Sequence, residues 1–209
     1  MYFDKKFRQQ LKDLFLWRRD VRRFDSRPID DELLGEIISQ AMLAPSVGLS
    51  QPWRFIQVED KKIRGKIIEN YEVENEKASK LYDDEKAELY RSLKLAGLKE
   101  APVHLAIFAE EETKTGSGLG RQTMPETIHY SVVAAIENLW LAARANGVGM
   151  GWVSILDPLK VCETLETPEN WYFIGYMCIG YPQEEHTDPE LIRAGWEKVL
   201  DTSKVLFKK

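Results

Sequence analysis

Cysteine, histidine and long apolar stretches are all scarce in this sequence. The two cysteines, Cys162 and Cys178, form no CxxC pair and lie in apolar segments, so we expect buried free thiols and a reducing compartment, by default the cytoplasm. The three histidines, His104, His129 and His186, are far apart, which argues against a metal site. The apolar runs are too short to span a membrane, and the charged N-terminal segment does not resemble a signal peptide.

An excess of basic charge is also lacking. Lys and Arg number 29 against 34 Asp and Glu, a formal net charge of −5, so bulk electrostatics favour neither nucleic acid nor an anionic membrane as a partner. The glycine-rich segment 116–120 does not have GxGxxG spacing, and we interpret it as a lid or a turn rather than a dinucleotide site. The length of 209 residues suits one domain with a sizeable core.

The hydrophobic periodicity predicts helices first and then strands that alternate with helices. Apolar residues at helical spacing over 3–17 predict an amphipathic first helix, and Asp30 is placed to cap a second helix that ends before Pro45. The further predicted elements are strands at 53–58, 101–108, 148–155 and 172–179, one or two charged surface helices over 60–99, a long helix from Pro125 to about Gly147, a short helix from Asp157 and a late short strand at 205–207. This order indicates an α+β or α/β layered domain.

A basic segment follows the first predicted helix. Four arginines occur in the six residues 18–23, and the planar guanidinium fork matches the geometry of a phosphate group. A solvated charge run that ends the helix explains the same composition, and for this segment alone it is the simpler interpretation.

Two other segments are candidates for a ligand site. The loop Pro45–Arg54 contains hydroxyls, an amide and two prolines, so it either lines the polar edge of a heterocycle or is an ordinary helix-to-strand loop of fixed shape. The alternate glycines Gly147, Gly149 and Gly151 leave one strand face bare, so that a flat ligand or another backbone can approach it closely.

Taken together and in order, these motifs resemble the BluB family, which belongs to the FMN-dependent nitroreductase superfamily. The matching stretches are RRDVR (18–22), APSVGLSQPWRF (44–55), YRSLKL (90–95), LGR (119–121), YS (130–131), NLWLAAR (138–144) and GMGWVSI (149–155). The resemblance runs from about residue 12 to the Pro-Glu-Leu and Gly-Trp motifs of Pro189 to Trp196. The aspartate after the paired arginines and the serine of GWVSI are the residues typical of BluB.

The resemblance implies an α+β fold, namely a nitroreductase-like three-layer α/β/α domain with a mixed central sheet. It implies one FMN-binding domain over 1–209, with a helical lid at about 72–100 and a C-terminal extension at about 182–209. It also implies an intertwined homodimer with two FMN sites at the interface, in which the tail reaches across to the other subunit.

The resemblance also assigns roles to individual residues. Arg18, Arg19 and Arg22 are expected to hold the phosphate and ribityl oxygens of FMN. The loop residues are expected to approach the flavin from the partner chain, while Asp20 and Ser154 are the expected catalytic residues, Asp20 as an acid or base. The full predicted set is Arg18, Arg19, Asp20, Val21, Arg22, Pro45, Ser46, Gln51, Trp53, Arg91, Gly151, Trp152, Val153 and Ser154, with no metal ligands.

The family's reaction is the O₂-dependent fragmentation of reduced FMN to 5,6-dimethylbenzimidazole, the lower ligand of vitamin B12, with release of erythrose 4-phosphate. NAD(P)H is then needed only for separate flavin reduction. Two other hypotheses stay open on the sequence. One is an NAD(P)H-dependent FMN oxidoreductase acting on nitro compounds, quinones or a corrinoid cobalt such as cob(II)yrinic acid a,c-diamide, which the predicted lid argues against. The other is a protein that only sequesters flavin.

Overall fold

Four strands form one sheet, with strand order β1-β2-β4-β3. They are β1 (Trp53–Gln57), β2 (Val103–Glu110), β3 (Gly149–Val153) and β4 (Trp171–Gly180). The computed structural model describes residues 1–209, apart from the side chains of Asp84 and Thr202. All three strand pairs are antiparallel, so the mixed character expected of the sheet is limited, within the described residues, to one isolated parallel bridge between Asp20 and Met150.

Seven α-helices are present in the described chain. They are α1 (Lys5–Trp17), α2 (Asp31–Ala41), α3 (Lys61–Ser79), α4 (Asp84–Ser92), α5 (Thr127–Ala145), α6 (Pro158–Leu165) and α7 (Glu190–Arg193). As predicted, Asp30 caps α2, and its carboxylate accepts from the amides of Glu32 and Leu33. Asp60 and Asp157 cap α3 and α6 in the same way, and such a cap stabilises a helix by about 1 kcal/mol.

Alternate residues of β2 point into two separate cores. Leu105 and Ile107 pack in one core with α2 and α5, whereas Ala106 and Phe108 pack in the other with residues of α3 and α6. A strand buried on both faces has an almost continuous apolar sequence, which explains the run at 103–109. The sheet therefore lies between two helical layers, and the predicted α+β, three-layer architecture is confirmed.

The two ends of the chain carry much of the exposed apolar surface. Helix α1 forms over the predicted stretch, but none of its residues is buried, and Phe7 and Phe15 are exposed on it. The predicted strand at 205–207 is wrong: a short 3-10 turn at Thr202–Lys204 is followed by residues without regular structure. A strand needs a hydrogen-bonding neighbour, and within the described residues the tail pairs with none of the four strands. Within the described residues, no helix has the length and apolar character to cross a bilayer.

His104 is a buried histidine between the two central strands. Its Nδ1 lies 3.0 Å from the hydroxyl of Tyr176, and the two rings meet edge to face. Burial, reinforced by the nearby Arg64 guanidinium, lowers the pKa of His104 to about 4. The fold therefore requires the neutral imidazole, because charging it inside this core is unfavourable.

This requirement predicts that acid destabilises the fold. The unfolded chain binds a proton at its histidine near pH 6.5, whereas the folded chain does so only near pH 4, so stability present above pH 6.5 is lost as the pH falls through this window. We expect about 3 kcal/mol of the free energy of unfolding to disappear between these limits. Urea unfolding of His104→Gln should show a much smaller pH dependence in this window, whereas the half-exposed control His186→Gln should keep that of the wild type. An unchanged pH dependence in His104→Gln would contradict the assignment.

Candidate active site

The basic segment leaves α1 and runs beside β3. The Val21 amide donates to the Met150 carbonyl over 3.0 Å, next to the Asp20–Met150 bridge. A Cβ at Gly149 would lie 2.7 Å from Cγ2 of Val21, and a Cβ at Gly151 would overlap the Val21 carbonyl oxygen. Close approach of another chain segment is therefore what the structure shows at Gly149 and Gly151, whereas a Cβ at Gly147 would meet nothing within 4 Å.

Asp20 is fixed at both of its carboxylate oxygens. Oδ1 accepts from the Trp152 amide at 2.9 Å, and Oδ2 accepts from Nε of Arg22 at 2.8 Å. About a third of the side chain remains exposed (33%). Ser154 is the first residue after β3 and is exposed, two positions beyond the amide that binds Asp20. Asp20 is thus attached to β3 at Trp152, and Ser154 follows the same strand directly after Val153, which is buried in the core.

The three predicted phosphate ligands point in different directions. The Arg18 guanidinium lies over the Trp140 ring, 4.8 Å from its centroid. Arg22 has a side chain only 11% exposed and donates from Nη1 to the Lys94 carbonyl at 3.1 Å. Arg19 donates from Nη2 to the Phe15 carbonyl, while its buried Nε has no hydrogen-bond partner among the described residues. Arg19 is therefore the guanidinium with an unused buried donor.

Electrostatics make Arg19 a favourable place for an anion. Burial lowers the pKa of Arg19, and the neighbouring positive charge of Arg18 lowers it further. Both effects show that the charged guanidinium lacks compensation in the chain alone, although Asp188 acts in the opposite sense. A bound anion would supply the missing hydrogen bond and the missing charge.

The loop before β1 has a fixed and strained shape. Gly48, Leu49 and Gln51 all have positive φ angles, of 56°, 55° and 45°, and the Gln51 amide donates to Oγ of Ser46 at 3.1 Å. Left-handed backbone at a non-glycine residue is unfavourable and persists only where the surroundings impose it. This loop is therefore held in a specific conformation, which its composition predicted.

The loop exposes some predicted residues and buries others. Pro45 and Gln51 are exposed and Ser46 is half-buried. Trp53 is only 3% exposed and packs in the core, where its Nε1 has no hydrogen-bond partner among the described residues. Ser50, one of the loop hydroxyls that are candidates for a ligand site but not a member of the full predicted set, is also buried with an unpartnered hydroxyl. Its place inside the PSVGLSQPW motif was the available signal for it.

The two halves of the predicted site lie at opposite edges of the sheet. The loop Pro45–Gln51 leads into β1, whereas Asp20 and Ser154 border β3, and three inter-strand spacings separate these strands. At ~4.8 Å per spacing the separation is about 14 Å. A single chain therefore does not bring the loop Pro45–Gln51 together with Asp20 and Ser154. Arg91 is exposed at the end of α4, where it lines a surface depression with Tyr82 and Glu88 whose lining does not include Asp20.

The segment after α4 touches the basic segment directly. The Arg22–Lys94 hydrogen bond is one contact. The other is Gly97, where a Cβ would overlap the Phe24 ring, so glycine permits this packing. Burial raises the pKa of Tyr71 to about 12, with Tyr90 adding to the effect. The predicted lid region thus contains the end of α3, all of α4 and a segment that rests on Arg22 and Phe24.

Comparison with known proteins identifies the family of this chain. The nitroreductase family model matches residues 15–181. The 5,6-dimethylbenzimidazole synthase of Rhodospirillum rubrum is 54% identical over 93% of this chain and 92% of that protein, and a synthase of Rhodobacter capsulatus is 41% identical over 97% and 98%. This chain belongs to the nitroreductase family and, within it, to the BluB family of 5,6-dimethylbenzimidazole synthases.

Solved structures of the nitroreductase family share its fold. Oxidised iodotyrosine deiodinase bound to FMN and 3-iodo-L-tyrosine superposes with a TM-score of 0.71 at 28% identity, covering 84% of this chain and 91% of that one. A nitroreductase family protein of Streptococcus pneumoniae superposes with a TM-score of 0.64 at 20% identity, covering 95% and 100%. The latter likeness shows the fold alone.

The contact between Val21 and Gly151 predicts the effect of adding one methyl group. Because the Cβ of Gly151→Ala would overlap a backbone oxygen rather than a flexible side chain, the basic segment must move away from β3. We expect a loss of about 1–3 kcal/mol in the free energy of unfolding, measured with urea. The control is Gly65→Ala in α3, where the new methyl meets nothing within 4 Å and should stabilise the helix by up to about 1 kcal/mol. Equal stability of Gly151→Ala and the wild type would show that the contact is not a constraint.

Proposed function

We propose that this protein is a 5,6-dimethylbenzimidazole synthase that uses reduced FMN as its substrate and O₂ as its oxidant. Asp20 carries the proposal: the carboxylate typical of BluB is fixed by Arg22 and the Trp152 amide beside the strand that leads to Ser154. The relatives support it, because synthases share 54% and 41% of their aligned residues with this chain. Iodotyrosine deiodinase of Sus scrofa, named for another reaction, shares 27%. An NAD(P)H-dependent oxidoreductase is therefore not favoured, and NAD(P)H is proposed only for separate reduction of the flavin.

The described residues fit FMN. The unpartnered buried Nε of Arg19 and the uncompensated charge around it suit a phosphate ester. Arg18 lies beside Arg19 in the chain. Arg22 orients Asp20, so its guanidinium is already engaged in a hydrogen bond within the protein. When bound, reduced FMN supplies both the electrons that reduce O₂ and the atoms of the aromatic product. The protein's own contribution is to bind the phosphate, to hold Asp20 and Ser154 beside the ring and to exclude water.

Asp20 is proposed to move a proton, with Ser154 positioning the reacting group. Both carboxylate oxygens already accept hydrogen bonds, so Asp20 is oriented before the substrate arrives. The exposed third of its side chain leaves room for contact with substrate. We propose that residues 72–100 cover the site as a lid within the single domain 1–209, and that the protein acts in the cytoplasm, in keeping with its two free cysteines.

A homodimer is proposed because one chain leaves the site incomplete. The loop Pro45–Gln51 is at the sheet edge opposite Asp20, so a partner subunit is needed to supply the loop. The exposed apolar side chains of α1 and of the tail, such as Phe15 and Phe207, are suited to burial between subunits. The tail without a strand partner in its own chain fits the expected exchange between subunits.

Replacing Asp20 tests the proposed reaction. The protein is mixed with chemically reduced FMN without air, O₂ is admitted, and the small molecules are analysed by chromatography and mass. We expect the wild type to form dimethylbenzimidazole in proportion to the FMN lost, and Asp20→Asn to form at least about 100-fold less while still binding FMN. Asp25→Asn, a nearby exposed carboxylate outside the site, is the control and should keep full activity. Simple reoxidation of FMN by the wild type would overturn the proposed function, and full activity of Asp20→Asn would remove Asp20 from the mechanism.

Mixed dimers test the shared site. Asp20→Asn protomers are co-expressed with protomers carrying Ser46→Ala and Gln51→Ala. In a heterodimer that shares its sites, one site carries both defects and the other carries none. We expect random association to restore about a quarter of wild-type activity, well above either parent alone. Activity that only averages the two parents would place each site within one chain, and full activity of the loop variant would remove the loop from the site.

A further inference from the structure

Residues 183–196, named here the C-terminal strap, are attached at one end to the basic segment. The Gln183 amide donates to the Arg23 carbonyl at 3.1 Å, and the Gln183 side chain donates to the Phe24 carbonyl at 2.9 Å. Nη1 of Arg23 donates to the carboxylates of Glu184 and Glu190, at 2.9 and 3.0 Å. Arg23 is the fourth arginine of the segment and has no predicted role in binding FMN. Its partners show that it holds the strap.

The other end of the C-terminal strap is attached to α4. The Trp196 ring meets the Tyr82 ring edge to face, with centroids 5.2 Å apart, and lies 6.1 Å from the Tyr90 ring. Nζ of Lys86 is 4.2 Å from the centre of the Trp196 ring and donates to the Trp196 carbonyl at 3.1 Å. Aromatic and cation–π contacts of this kind are individually modest but act together on one helix.

Helix α4 depends on these contacts because its own packing is sparse. Among its described side chains, only Ala87 and Tyr90 are buried. The Tyr90 hydroxyl donates to Asn75 in α3 at 2.7 Å, which is the hydrogen bond that ties Tyr90 to the neighbouring helix. A helix with so little buried surface opens easily unless something holds it from outside. Trp196 lies where it can do so.

We propose that the C-terminal strap ties the lid helix α4 to the basic segment, and that Glu190 and Trp196 are positioning residues for the reaction. Glu190 holds the strap on Arg23, and Trp196 holds α4 on the strap. Closure of the lid over the substrate is then linked to the segment that carries Asp20 and Arg22. The strap sequence includes the Pro-Glu-Leu and Gly-Trp motifs, which have no role in the binding of FMN described above. In its effect on product this inference rests on the proposed function, but its effect on α4 does not.

Breaking either end of the strap should have the same consequence. Hydrogen exchange of the full-length protein is measured by mass spectrometry on peptides covering residues 80–93, together with the dimethylbenzimidazole formed per FMN oxidised. In both Trp196→Ala and Glu190→Gln we expect exchange in α4 to rise by about tenfold. The yield of product per FMN should fall at least by about half, as unprotected flavin is simply reoxidised. The double variant should be no worse than either single variant, since both act through one strap.

Matched variants separate positioning from general destabilisation. Trp196→Phe keeps an aromatic ring and should retain most of the protection of α4. Glu197 is an exposed carboxylate just beyond the strap, and Glu197→Gln should behave as the wild type. Unchanged exchange in α4 for both strap variants would overturn the tie, and faster exchange with unchanged yield would overturn its role in the reaction. If the wild type itself forms no dimethylbenzimidazole, the proposed function fails while the exchange measurement still decides whether the strap holds α4.

Discussion

The close approach of the Val21 backbone to Gly151 is the constraint on which the candidate site depends. Glycine at position 151 allows the extended basic segment to lie against β3, and the Val21–Met150 hydrogen bond fixes its register. With that register, the Asp20 carboxylate reaches the Trp152 amide and Arg22 reaches both Asp20 and the lid segment. One backbone contact therefore orients the Asp20 carboxylate, the Arg22 guanidinium that pairs with it and the segment after α4.

The same arrangement explains why the four arginines of residues 18–23 are not equivalent. Arg18 stacks on Trp140, Arg22 orients Asp20, and Arg23 is paired with two glutamates. Arg19 alone among these four retains a buried donor without a partner in the described residues. A dense basic cluster is therefore divided into one position suited to an anion and three that position neighbouring elements. This division follows from which backbone and side-chain acceptors each guanidinium can reach.

Helix α4, which we propose covers the site, packs only weakly against the rest of the chain. Among its described side chains only Ala87 and Tyr90 are buried, whereas the loop before β1 is held in a specific, strained conformation at the far edge of the sheet. Elements of low local stability are suited to movement around a ligand. The two cores on the faces of the sheet, by contrast, share β2 and β4. The long apolar α5 packs in one of them, and residues of α3 and α6 pack in the other. The well-packed layers and the sparsely packed α4 are thus formed by different segments of the sequence.

Periodicity and capping residues determined most of the elements. The apolar runs of β2 and β4, the Asp30 cap and the end of α5 near Gly147 follow from local rules, because they depend on neighbours within a few residues. The motif order also determined the family, since RRDVR, PSVGLSQPW and GMGWVSI occur together. The strand expected at 205–207 was wrong because strand formation depends on a distant partner.

Only the tertiary structure decided the contacts between segments that are far apart in the chain. The alternate glycines were compatible with a flat ligand or a backbone, and folding placed Val21 against Gly151. Trp53 looked like a ligand contact but is part of the core, and Arg22 looked like a phosphate ligand but pairs with Asp20. Sequence alone determined which chemical groups are available and the elements that carry them. Their partners were decided by three-dimensional packing, because the same guanidinium or glycine serves a ligand or the protein according to what lies beside it.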